Sequence, residues 1–181
     1  MPAMTARARL RAPAEEHHGY VTTDDATKLG IDHAYLRSLG RQGFLEHVGH
    51  GLYRFADIPW TDRSGFMEAV LLAGPGAYLI DTGTLAMERL ALVVPERIRV
   101  GTNRRARVTL PQHVELVRTH PAPQDITTIE GVPTVSISRA ILDSVGRVMP
   151  DRLFDAAREA NEKGLIGIGK MNRLIEELRR R

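Results

Sequence analysis

The stretch GIDHAYLRSLGRQGFLEHVGHGLYRF, residues 30–55, constrains this chain most, because a helical apolar period and a glycine-punctuated β pattern stand back to back in it. Asp32 is placed to cap a helix on which Leu36 and Leu39 share one face, with Ile31 and Phe44 closing the ends and Gly43 stopping it. The preceding TTDDATKLG predicts a short helix capped by Thr22 or Thr23, with Asp24 and Asp25 in its first turn and Gly30 as its stop. Helix, glycine turn and helix result. Residues 45–48 and 52–55 then read as β-rich runs around Gly49 and Gly51, a hairpin in the position of a wing. The helix face opposite Leu36 and Leu39 carries His33, Ala34, Arg37, Ser38 and Arg41, which are small, polar or cationic and include no carboxylate. A DNA major groove tolerates such a face.

On either side of this unit the patterns change. Residues 1–16 carry Arg7, Arg9 and Arg11 and then Pro13, which predicts a frayed start and an interrupted helix. His17 and His18 precede a glycine, where they would cap a helix end. Asp57, Ile58 and Pro59 read as a linker, so the expected division is a winged helix-turn-helix domain over 1–59 and a larger domain over 60–181. In the second, two apolar-periodic helices flank the breaker Gly74-Pro75-Gly76, and ERIRVGTNRRARVTLPQHVELVRTH alternates with period two, giving strands joined by a turn at 101–103. Another hairpin is expected at Glu130-Gly131, followed by three helices, one opened by Pro150 and closed by Gly164. The fold class is therefore mixed α+β, a winged helix-turn-helix followed by helices packed on a small antiparallel-rich sheet.

Several function classes lack their signatures. The 181 residues include no cysteine, which removes disulfides, thiolate nucleophiles and thiolate zinc sites together. No apolar run is long enough to cross a bilayer and none follows the basic start as a secretory signal would, so the expectation is a cytoplasmic protein without membrane contact. Glycine-rich phosphate loops and the Gly-x-Ser-x-Gly elbow are missing, and none of the three lysines follows a carboxylate two residues earlier. Asp143, Asp151 and Asp155 are explained by helix starts and exposed faces. No catalysis, cofactor or metal is expected; His47 and His50 stand three apart on the wing without a carboxylate or thiolate to complete a metal site.

Charge must act locally. Residues 1–59 hold seven basic and seven acidic side chains, so no broad cationic field steers them to DNA. The densest positive patch is Arg97, Arg99, Arg104, Arg105 and Arg107, read as a hairpin of the second domain that either is solvated or meets nucleic acid or an acidic partner.

GYVTTDDATKLGI, LRSLGRQGFLEHVGHGLYRF and the later GPGAYLIDTGTLAMERL, RIRVGTNRRARV, IEGVPTVSISRAILDSV and GLIGIGKMNRLIEEL together resemble the AbiEi-family antitoxins of bacterial type IV toxin–antitoxin pairs. Val21-Thr22-Thr23, Gly43-Phe44-Leu45 and Gly51-Leu52-Tyr53-Arg54 carry the likeness in the winged helix; Pro13 and Gly40 depart from it. The resemblance implies a repressor of its own operon that binds inverted repeats in promoter DNA, with a C-terminal domain that counters a nucleotidyltransferase-type toxin. It implies that Thr22 and Thr23 meet phosphates at a helix start, that His33, Arg37, Ser38 and Arg41 face the major groove, and that His50 and Arg54 track the backbone from the wing. The arginine-rich segment 97–107 is then the candidate toxin surface. Two alternatives stay open: a stand-alone winged-helix regulator, and a protein-interaction module that binds no DNA.

Overall fold

Thr5 accepts a hydrogen bond from the N–H of Ala8 and opens α1 (Ala6–Glu16) in the computed structural model, which describes residues 4–104 and 108–181. Pro13 lies inside this helix rather than ending it. Leu10 and Ala14, on either side of the proline, are both fully buried, and their packing holds the helix through the missing N–H. After β1 (Tyr20–Thr22), the side chain of Thr22 caps α2 (Thr23–Lys28), and Asp32 caps α3 (His33–Arg41) through the N–H of Ala34 at 2.6 Å. Gly30 and Gly43 take positive φ at the two helix exits.

The wing is β2 (Leu45–Gly49) and β3 (Leu52–Phe55), paired antiparallel with a register shift between His47 and Gly49. β1 adds to the other edge of β3, so the three-stranded order is β1-β3-β2. Leu10, Val21, Ala26, Leu36, Leu39 and Phe55 lead the core on one side of this sheet. Its other side is covered too. The hydroxyl of Tyr20 donates to Glu68 Oε2 at 2.7 Å from α4 (Ser64–Ala73), and the Tyr20 and Trp60 rings meet edge to face at 6.4 Å. The chain accordingly divides into compact units at 1–72 and 73–181, with the segment 57–59 inside the first.

The second unit begins with a strand of only two residues, β4 (Tyr78–Leu79), between Gly74-Pro75-Gly76 and α5 (Asp81–Met87). Both residues are nearly inaccessible because β4 is the centre of the sheet order β6-β5-β4-β8-β7, in which β5 is Ile98–Thr102, β6 Val114–Arg118, β7 Ile126–Ile129 and β8 Val132–Val135. β4 pairs antiparallel with β5 and β7 with β8, while β4–β8 and β5–β6 are parallel. β5 and β6 therefore are not a hairpin: the expected turn at 101–103 gives way to a strand that runs through Gly101. A β-carbon there would lie 2.6 Å from the Tyr78 ring and 2.7 Å from Ile80, so that glycine serves close packing. The other hairpin forms as read, with Ile129 opposite Val132 and both Glu130 and Gly131 at positive φ. α6 (Ile137–Asp143), α7 (Pro150–Glu162) and α8 (Ile168–Arg179) supply Ile141, Leu153, Ala157 and Leu174 to the core.

Candidate nucleic-acid interface

Helical spacing turns Leu36 and Leu39 of α3 into the core and leaves Arg37 and Arg41 outside. Neither guanidinium has a hydrogen-bond or ion-pair partner among the described residues, and both border a concavity of about 410 Å³ whose other walls are Gly40, Leu45, His47 and Tyr53. The concavity thus lies between α3 and the wing. Its wing side carries His47, considered in the sequence with His50 only as an incomplete metal pair; its ring meets Tyr53 edge to face at 5.1 Å across the β2–β3 pair.

His33 sits at the start of α3 with Nε2 at 2.9 Å from Thr27 Oγ1. The same hydroxyl lies 2.9 Å from the Thr23 carbonyl. The His33 contact ties α2 to α3. Ser38 Oγ accepts from Gln42 Nε2 at 3.0 Å, and His50 is exposed at the wing turn. These residues, with Arg37, Arg41 and His47, remain on the outer surface.

Thr22 and Thr23 take a different part from the one expected. Thr22 Oγ1 accepts from the Asp25 N–H at 3.1 Å while its own N–H donates to Asp25 Oδ2 at 2.9 Å, a complete capping box. The N–H of Thr23 donates to the Gly51 carbonyl at 2.9 Å, which fastens the wing tip to α2. Two N–H groups of the helix start, those of Thr23 and Asp25, are therefore taken by the wing and by the cap side chain.

Arg54 is a second correction. It is 8% exposed, its guanidinium donates to the Phe55 and Ile58 carbonyls at 3.3 and 2.5 Å, and it lies 5.3 Å from the Trp60 ring centre. Because β3 is the middle strand and 58–68 covers its second face, all four β3 residues are buried and no position on it tracks a DNA backbone. The N-terminal arginines are occupied as well: Arg7 lies 4.3 Å over Phe44, Arg9 donates to the Leu29 carbonyl, and Arg11 binds Glu15 and Asp57 at 2.9 and 2.7 Å. The hydrogen bond from Arg11 holds the exposed Asp57 carboxyl below its ordinary range, while burial, reinforced by Glu68, pushes the Tyr20 hydroxyl far up.

Among the arginines of 97–107, Arg99 is the third correction. It is 8% exposed and bridges Asp81 Oδ2 at 2.9 Å and Glu115 Oε1 at 2.7 Å, with Arg147 a further 3.9 Å from Asp81. The sheet face that carries Arg99 is covered by α5, which starts at Asp81 and packs Gly83 against the Arg99 backbone, so alternation does not deliver Arg99 to solvent. Arg97 and Arg104 are exposed; Arg105 and Arg107 lie outside the described residues. The carboxylates Asp143 and Asp155 are paired with Arg139 and Arg158 at 2.7 and 2.8 Å. No group of three metal-ligating side chains occurs among the described residues, and no helix among them is long and apolar enough to cross a membrane.

Comparison with known proteins places the winged unit. No curated protein matches the chain. Among solved structures, the RV2827C protein from Mycobacterium tuberculosis aligns over 97% of this chain and 72% of its own at 16% identity, with a TM-score of 0.42, too low to support an argument. Residues 9–56, from α1 to the end of the wing, match the family described as transcriptional regulator, AbiEi antitoxin. The match covers the helix-turn-helix and wing alone, and shows this segment to be similar to the AbiEi antitoxin family of transcriptional regulators.

Proposed function

We propose that the protein is the antitoxin and autorepressor of a type IV toxin–antitoxin pair, and that α3 reads inverted repeats in its own promoter. The observation that carries this reading is the pair Arg37 and Arg41 on α3, free of partners among the described residues and facing the concavity shared with His47 on the wing. Arg and His donors suit guanine edges and phosphates, and Ser38 and His33 complete the same face. His50 at the wing turn extends toward the flanking backbone. Thr22, Thr23 and Arg54 are left out of this reading, since the Thr22 hydroxyl, the Thr23 N–H and both terminal nitrogens of the buried Arg54 are engaged within the unit. With so few cations involved, one copy binds weakly and two half-sites are needed for a tight complex.

The second unit counters a nucleotidyltransferase-type toxin in this reading, with the exposed Arg97 and Arg104 as basic groups of the candidate surface and Arg105 and Arg107 adding to its charge in sequence. The reaction class of the toxin enters through the family alone.

Fluorescence anisotropy on the duplex upstream of the gene tests the DNA arm. The wild-type chain is expected to prefer that duplex over a shuffled one, and Arg37→Ala with Arg41→Ala to lose at least about tenfold in affinity. Unchanged affinity in the double variant would remove α3 as the reading helix. Equal weak binding to both duplexes would favour the interaction module.

A further inference from the structure

A concavity of about 820 Å³ opens on the second unit, lined among others by Thr82, Val93, Arg97, Glu115, Arg147 and Arg152. Around it stand Leu92, Val94 and Met149, exposed to 79%, 94% and 67%. Aliphatic side chains gathered at one opening and left in water mark an interaction surface.

The segment that carries two of them is firmly held. Arg89, Ala91 and Leu92 have φ of 51°, 57° and 49°, in the left-handed region that residues with a β-carbon avoid. Leu90 and Ala91 are buried, Lys163 Nζ donates to the Glu88 and Arg89 carbonyls at 2.9 and 3.0 Å, and the Ala91 N–H donates to Glu159 Oε2 at 3.3 Å. The fold therefore fixes an unfavourable backbone whose outer product is the display of Leu92 and Val94. A surface held this way loses little freedom when it docks.

Charge at the rim selects the occupant. Arg97 and Arg152 are exposed without a hydrogen-bond or ion-pair partner among the described residues, and the exposed carboxylates Glu96 and Asp151 adjoin them in sequence. A nucleic-acid backbone would meet Glu96 and Glu115 together with the guanidiniums, and no aromatic ring lines the opening for a base to stack on. An apolar centre ringed by both signs is self-complementary: across a two-fold axis, the cations of one copy face the carboxylates of the other while the aliphatic groups cover one another.

We infer that this face of the second unit is the contact between two copies of the chain. It gives the protein a two-fold axis without DNA, suited to inverted repeats, and it stands whether or not α3 reads bases.

Sedimentation equilibrium of the full chain, without DNA, tests it. A monomer–dimer equilibrium with a dissociation constant on the order of micromolar is expected. Leu92→Asp with Val94→Asp weakens it at least about tenfold and, at concentrations below the dissociation constant, leaves circular dichroism and the thermal midpoint unchanged, because both side chains are solvent-exposed in the monomer. Arg97→Glu with Arg152→Glu also weakens association, and mixing that chain with Glu96→Arg, Asp151→Arg restores it. A wild-type chain that stays monomeric at about 100 μM overturns the inference. So does a dimer indifferent to Leu92 and Val94, or a monomer whose promoter affinity depends on Arg97 and Arg152, which would make this a nucleic-acid face. The Arg37→Ala, Arg41→Ala chain keeps its dimer, so failure of the DNA reading and failure of this one give different results.

Discussion

Arg37 and Arg41 on α3 and Arg54 and Arg99 on strands β3 and β5 look alike in sequence, yet the structure uses them oppositely. The α3 pair stands in solvent without partners among the described residues, whereas each strand arginine is 8% exposed and hydrogen-bonded inside its unit. On a helix, one face meets the core and a residue's face follows from its spacing to Leu36 and Leu39. In a strand, alternation separates two faces but does not say whether both are covered. β3 has the α1–α3 core on one side and Trp60 with α4 on the other; the face of β5 that carries Arg99 is covered by α5, whose Asp81 it binds. An arginine motif on a helix face is thus a better guide to a binding surface than one on a strand.

The largest effect is expected at Arg99. Arg99→Met leaves Asp81 buried with only Arg147 nearby at 3.9 Å, and should lower the unfolding free energy of the second unit by about 3–5 kcal/mol in urea denaturation. Adding Asp81→Asn should recover part of that loss, since the uncompensated charge is gone. A stable Arg99→Met chain with impaired toxin control would return Arg99 to the surface and break the contrast.

Arg54→Met comes next. It strips two carbonyls of their donor and removes the stacking on Trp60, at a cost of about 1–3 kcal/mol by thermal melting. Promoter affinity of the folded fraction should not change. Thr22→Ala removes the capping side chain of α2 and should cost about 1 kcal/mol in the same assay. A larger loss of DNA affinity than of stability would give Thr22 the phosphate contact that the cap now explains.

The smallest stability change sharpens the comparison most. Arg37→Ala with Arg41→Ala should shift the unfolding free energy by no more than about 0.5 kcal/mol, because both side chains are exposed and unpaired among the described residues. Coupled to a loss of promoter binding, that result would make the α3 pair functional where the strand pair is structural.

Local signals made much of the winged unit legible. Asp32, Gly30 and Gly43 mark helix ends by capping and positive φ, and Leu36 and Leu39 mark the buried face, all within a few residues of one another. Pro13 was misleading because its local penalty is outweighed by the burial of Leu10 and Ala14, a tertiary effect. The two-residue strand β4 carried no period to detect, and only its two neighbours in the sheet make it a strand. His47 gained meaning only when the wing placed it opposite Arg37 and Arg41 across one concavity.

By itself the sequence determined the helix-turn-helix and wing, the Glu130-Gly131 hairpin, the three closing helices and the family likeness, since each rests on caps, turns and periodicity acting over short distances. Only the tertiary structure decided which arginines face water, that β5 and β6 run parallel, and that Leu92, Val94 and Met149 gather at one opening. Exposure and strand partnership depend on residues distant in sequence that cover a face or leave it bare, and no local pattern encodes those neighbours.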